Sequence, residues 1–240
     1  MAGGTLGGWA RAIAAAVRRS GRPLLVLQVV CAVPSVLLGL LLGALAGGGG
    51  AGRWVVAAVV AVVASGLGAL GQAGSVCLVL REAAGQPTAV TTAFRFGARR
   101  ALPLLGWSVL AGLFTAAGLA LAVLPGIYCA VVFGATLPGV VTVERGGPRR
   151  CLSLVNRRLL STTVRCGVGL FSAAFYGSLV GVALTVLPGG AAGGLGSAVR
   201  LLAVLPLTVT GAAFSAVTYA ELRQRVDGVD CAQLAAALFS

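Results

Sequence analysis

Histidine and lysine are both absent from this 240-residue chain, and only five residues are acidic. The lack of histidine removes the Ser-His-Asp arrangement, imidazole acid–base catalysis and the commonest metal ligand together. The acids, Glu82, Glu144, Glu221, Asp227 and Asp230, are isolated or sit at the predicted ends of apolar runs, so no carboxylate pair is placed for proton relay. The phosphate-loop pattern GxxxxGK[ST] is missing, which disfavours a nucleotide-driven machine. The six cysteines form no CxxC and no pairing pattern, so reduced thiols are expected, and neither a metal site nor a cofactor is expected. Polar surface is scarce as well. At 58% hydrophobic and 10% charged residues, with a mean hydropathy of +1.02, the chain cannot clothe a water-soluble globule.

What is present is apolar sequence punctuated by arginine. All 18 basic residues are Arg. A helix needs about 20 apolar residues to cross the hydrocarbon core. Six stretches satisfy this, at about 23–45, 54–80, 101–123, 126–143, 166–187 and 199–221. Leu124-Pro125-Gly126 is read as a tight hairpin that splits the long run from 101 to 143. Sixteen of the arginines then fall on one side, and only Arg53 and Arg200 on the other. Arginines retained in short cytoplasmic loops set orientation, so both termini are predicted to be cytoplasmic. The expected fold is all-α: a six-span bundle at 23–222, a cytoplasmic segment at 1–22 and a polar cytoplasmic tail at 223–240. The expected location is the bacterial cytoplasmic membrane. A net charge of +13 could suggest nucleic acid, but arginines that bracket apolar runs point to anionic lipid headgroups instead.

Three segments before the first, third and fifth spans are amphipathic at helical spacing. Trp9, Ile13 and Ala16 oppose Arg11, Arg18 and Arg22. Val90, Phe94 and Gly97 oppose Arg95 and Arg99. Leu152, Val155 and Leu159 oppose Arg149, Ser153 and Asn156. These are expected as short helices lying in the cytoplasmic interface. With the spans they parse the chain into three units of amphipathic helix plus hairpin, without evident sequence identity between units.

Glu144 and Glu221 each end an even-numbered span among arginines. A Glu–Arg cluster there can hold a lipid phosphate through guanidinium forks, or be a plain helix-end salt bridge. The residues assigned to headgroups are Arg95, Arg99, Glu144, Arg149, Arg157, Glu221 and Arg223. Within the spans, Gln72 with Ser75 is a candidate polar cavity. Gly169, Ala173, Gly177 and Gly181 recur every four residues and form a candidate helix-packing face.

Three blocks carry a resemblance. They are Ala84-Gly85-Gln86-Pro87-Thr88-Ala89-Val90 with Arg95, Arg99 and Leu102-Pro103-Leu104-Leu105; Leu124-Pro125-Gly126-Ile127-Tyr128 with Val140-Val141-Thr142-Val143-Glu144 and Gly147-Pro148; and Pro206-Leu207 with Tyr219-Ala220-Glu221-Leu222-Arg223 and Asp227-Gly228-Val229-Asp230. In order and spacing they resemble actinobacterial multi-pass proteins similar to the membrane domain of glycerophosphoryl diester phosphodiesterase. That resemblance implies an integral membrane protein whose enzymatic name does not transfer, because catalysis in that family belongs to a soluble domain for which this chain has no room. It departs at Cys151-Leu152-Ser153-Leu154-Val155-Asn156, where relatives carry an Arg-Arg-Ser-Trp-like block. The expected role is a membrane scaffold or accessory subunit, without catalytic residues, that contacts anionic phospholipid and a membrane-protein partner or a second copy. A small permease and an intramembrane lipid-modifying enzyme built on Glu144, Tyr219 and Glu221 remain open.

Overall fold

A computed structural model describes residues 5–45, 52–144, 146–186 and 194–238. It places them in α1 (Leu6–Leu45), α2 (Gly52–Ala83), α3 (Val90–Leu121), α4 (Val123–Gly139), a π-helical turn (Val140–Glu144), α5 (Pro148–Asn156), α6 (Leu159–Val186), α7 (Gly194–Asp227) and α8 (Cys231–Ala237). There is no strand among the described residues. Ala, Leu and Val runs become helices here because a helix satisfies every backbone group internally, as hydrocarbon demands. Five helical segments are long and apolar enough to cross a membrane: Trp54–Ala83, Val90–Leu121, Val123–Glu144, Leu159–Ala183 and Leu202–Asp227. The first predicted span, 23–45, falls in α1, but the side chains of 39–45 lie outside the described residues. The external loops expected at 46–51 and 187–193 lie outside them too.

The apolar stretches differ in how they are covered. In α2, α3 and α6 only 11%, 17% and 6% of the most apolar window is buried, against 67% in α4 and 50% in α7. The bundle is therefore built around α4 and α7, and the other helices turn apolar side chains outward. Leu102, Leu121, Leu124 and Leu160 are each more than three-quarters exposed, an arrangement suited to lipid rather than water.

Several expectations change on folding. The hairpin between the third and fourth spans turns at Ala122, which is extended (φ −166°, ψ 151°), not at Leu124-Pro125-Gly126. Those three residues form the first turn of α4, where Pro125 lacks only an N–H that has no helical partner anyway. The one-residue turn presses the two helices together. A Cβ on Gly126 would lie 2.3 Å from Leu119 Cγ, and one on Gly118 would lie 2.9 Å from the Gly126 nitrogen.

The amphipathic segments are also different. The first is continuous with its span as α1, and the second with its span as α3. At 40 residues α1 is about 60 Å long, twice the ~30 Å hydrocarbon core, so one helix serves both purposes. Its arginine face is exposed as expected, but Trp9 is buried against α7 rather than in lipid. Only the third segment is a separate helix, α5, which is set off from α6 by Arg157 and Arg158. Cys151, Leu154 and Val155 of α5 are buried against protein. The tail expected to be polar instead folds back as α8. Asp230 and Gln233 form a capping box at its start, and Leu234, Ala235 and Leu238 join the protein interior.

Of the small-residue stripe, Gly169 alone among its glycines comes close to another helix, at Phe214, and Gly177 and Gly181 meet nothing. Tighter approach falls on Gly74 and Gly97, where α1, α2 and α3 meet. A Cβ on Gly97 would stand 2.6 Å from the Leu70 carbonyl oxygen, and one on Gly74 2.8 Å from Leu27 Cδ2.

Candidate functional site

The π-helical turn after α4, the start of α5, the first turns of α6 and the end of α7 converge on one cluster. Its frame is α7, whose last two turns carry two faces. Tyr219, Arg223 and Asp227, four residues apart, point one way, and Glu221 and Arg225 another. Opposite the first face stands Glu144, which the π-helical turn presents. Pro138 removes one helical N–H just before that turn, and Thr142 Oγ1 donates back to the Pro138 carbonyl. Helices widen where such groups enter the ladder.

Glu144 is consequently surrounded. Its Oε1 accepts from Tyr219 Oη at 2.8 Å, and its Oε2 accepts from Arg150 Nε at 2.8 Å. Arg223 Nε is 3.1 Å from Oε1, close enough for an ion pair although not aligned as a hydrogen bond. Arg150 bridges onward to Asp227 at 2.7 Å, and Arg223 also pairs with Asp227. The hydrogen bond to Glu144, outweighing partial burial, holds the Arg150 guanidinium above its ordinary value. Gly139 makes the contact possible: a Cβ there would sit 2.3 Å from the Tyr219 ring.

The second face holds a buried fork. Arg165 Nη1 and Nη2 reach Glu221 Oε2 and Oε1 at 2.9 and 3.1 Å, with side-chain exposures of 4% and 6%. Arg225 also pairs with Glu221. The Arg165 guanidinium lies 5.8 Å from the centre of the Trp9 ring, and Trp9 Nε1 donates to Thr218 Oγ1 at 3.2 Å. In all, four guanidiniums (Arg150, Arg165, Arg223, Arg225) meet three carboxylates (Glu144, Glu221, Asp227) and join four helices.

Of the residues assigned to headgroups from sequence, Glu144, Glu221 and Arg223 are thus brought into ion pairs inside the protein. Arg95, Arg99, Arg149 and Arg157 stay exposed. Arg150 takes the place expected for its neighbour Arg149, because α5 starts at Pro148 and turns residue 150 toward Glu144. A span expected at 166–187 leaves Arg165 just outside it. Arg165 belongs to α6, which starts at Leu159, and Glu221 likewise lies within α7 and not at its end. Both charges therefore sit inside candidate spans. An arginine in the first turns of an apolar run was the signal available for this pair.

Beside the cluster, α4, α6, α7 and the first turns of α1 enclose a half-open crevice of about 610 Å³. Trp9, Val131, Gly134, Ala173, Tyr176 and Phe214 are among its walls. Its Ser172 and Thr210 hydroxyls donate to carbonyls of their own helices, Val168 and Pro206. The expected Gln72–Ser75 pairing is not seen. Ser75 Oγ accepts from Gln28 Nε2 across α1 and α2 at 3.0 Å, and Gln72 Oε1 is buried without a hydrogen-bond partner among the described residues. Thr115, Thr185 and Thr208 also donate to carbonyls of their own helices. No group of His, Cys, Asp and Glu among the described residues could hold a metal ion.

Together, the apolar helices and this cluster define a multi-pass helical membrane protein. Comparison with protein-family models, curated proteins and solved structures found no match.

Proposed function

We propose that this chain is a non-catalytic scaffold or accessory subunit of a bacterial cytoplasmic membrane, crossing six times with both termini inside, and that its arginine-rich face binds anionic phospholipid. One observation carries the reading. The carboxylates Glu144, Glu221 and Asp227 are already engaged by four arginines, while Arg95, Arg99, Arg149 and Arg157 remain exposed at positions expected at headgroup level. Each arginine near an anionic leaflet contributes about 1 kcal/mol, and lipid phosphate accepts a guanidinium fork. The internal cluster supports a structural role for its acids, since each carboxylate is paired with two arginines and together they tie the helices to one another. The apolar crevice and the locally bonded hydroxyls favour a scaffold over a permease, which needs a polar path at mid-span. The resemblance to the phosphodiesterase membrane domain belongs to the same proposal: its blocks supply Glu144, Tyr219, Glu221 and Arg223, the residues that tie the helices together.

The test replaces Arg95, Arg99, Arg149 and Arg157 with Gln and measures co-purified phospholipid. The expected result is a lower anionic fraction with the helices still inserted. An unchanged lipid content overturns the headgroup reading and leaves these arginines as topology signals.

A further inference from the structure

The crevice between α4, α6 and α7 lies in the middle of three candidate spans: its walls include Val131 and Gly134, Ala173 and Tyr176, and Thr210 and Phe214. We propose that it is a binding site for one acyl chain of a membrane phospholipid, with the glyceryl end of the chain turned toward Trp9 and Arg165. Depth supports this occupant. From Cys166 to Tyr176, both wall residues, α6 rises roughly 15 Å at ~1.5 Å per residue, which is half of the ~30 Å hydrocarbon core and so the reach of a single leaflet. Volume agrees, since about 610 Å³ falls within the roughly 300–1,000 Å³ of small-molecule sites. The chemistry of the walls favours an apolar occupant, because apolar side chains and glycines dominate them and the Ser172 and Thr210 hydroxyls spend their protons on their own helices. Charge decides which way the chain points. The end of the crevice at Trp9 adjoins the cluster in which guanidiniums outnumber carboxylates four to three, and an indole at that level matches the ring preference of the membrane interface. A phosphate is favoured at that end and a methyl terminus at the other. Gly134 and Gly211 line the crevice, and a Cβ on either would enter open space, so the protein leaves a slot there that its own side chains do not fill.

The chain's attraction through its headgroup rests on the function proposed above, whereas the seat of the chain does not, and the experiment separates them. Trp9 lines one end of the crevice and is otherwise covered by protein, so a chain seated in the crevice is the lipid nearest its ring. In a Trp54→Phe/Trp107→Phe background Trp9 is the only tryptophan left of three. That protein is reconstituted in phosphatidylglycerol or phosphatidylcholine brominated on the acyl chain, where bromine quenches an indole near contact. Strong quenching of Trp9 is expected. Adding Gly134→Leu and Gly211→Leu fills the slot with apolar side chains that compete for the same buried surface, so the quenched fraction should fall to about half or less. Gly177→Leu, on the outer face of α6 where a Cβ also meets nothing, should leave it unchanged. Equal quenching by both lipids still supports the chain site while refuting a headgroup preference. Absent quenching in the parent overturns the proposal, as it would if a second copy or another helix covered the crevice. So does quenching that survives the filling substitutions in a protein that remains folded and monodisperse.

Discussion

Glu221→Leu should be among the most destabilising single substitutions in this chain, and more so than Arg165→Met at the other end of the same ion pair. The two carboxylate oxygens of Glu221 take a guanidinium fork from Arg165 at 2.9 and 3.1 Å, with both side chains almost fully buried, and Arg225 joins on the same carboxylate. Removing one partner of a buried pair leaves a charge in a low-dielectric site without its counter-charge, at a cost of about 3–5 kcal/mol. Glu221→Leu does this to Arg165 and also takes the carboxylate from Arg225. Arg165→Met leaves Glu221 still paired with Arg225, so the loss is nearer that of hydrogen bonds to a charged group, about 1.5–3 kcal/mol. The double variant should recover much of the Glu221→Leu loss, because a buried pair exchanged for apolar side chains of similar size is often close to neutral. Equilibrium unfolding in mild detergent, completed as a double-mutant cycle, measures all three. Equal losses in the two single variants, or a near-neutral Glu221→Leu, would refute the reasoning that the fork holds α6 to α7.

Gly139→Ala should cost about 1–3 kcal/mol by forcing a methyl group into the Tyr219 ring, while Gly177→Ala and Gly181→Ala, with open space around them, should stay within about 0.5 kcal/mol. The same unfolding assay ranks them, and the reverse order would restore the small-residue stripe as the packing face. A reporter fused after Ser240 should behave as cytoplasmic and one inserted at Gly49 or Gly193 as external; an external C-terminus would overturn the arginine-based topology. Burial pushes the thiols of Cys151 and Cys231 above their ordinary value of 9.0, which makes alkylation of the folded protein slow at pH 8. The sign follows from the raised values: burying a neutral thiol contributes stability below pH 9, and this contribution is lost as pH rises through the folded value. Alkylation measured by mass against pH checks this, and Cys151 labelling at pH 8 as fast as in urea would refute it.

The all-helical class and the membrane setting were legible in the residues, because the hydrocarbon core imposes a length and a polarity that any crossing segment must meet. Five of the expected stretches coincide with long apolar helices, and the arginines around Glu144 and Glu221 are visible in the sequence. Local pattern did not say which arginine each acid would take. Arg150 rather than Arg149 faces Glu144 because the start of α5 sets its rotation, and Arg165 reaches Glu221 across 56 positions because α6 packs beside α7. Local pattern likewise placed the amphipathic face at Trp9 correctly but assigned it to lipid, since an apolar stripe looks the same whether its neighbour is an acyl chain or Phe214. The glycines show the limit most clearly. Spacing every four residues drew attention to Gly177 and Gly181, which meet nothing, while among the described residues Gly74, Gly97, Gly118, Gly126 and Gly139 are positions where a single Cβ would collide with another segment. Periodicity along one helix reports which residues share a face. What stands opposite that face is decided only when distant helices are brought within a few ångströms, where one methyl group fits or does not.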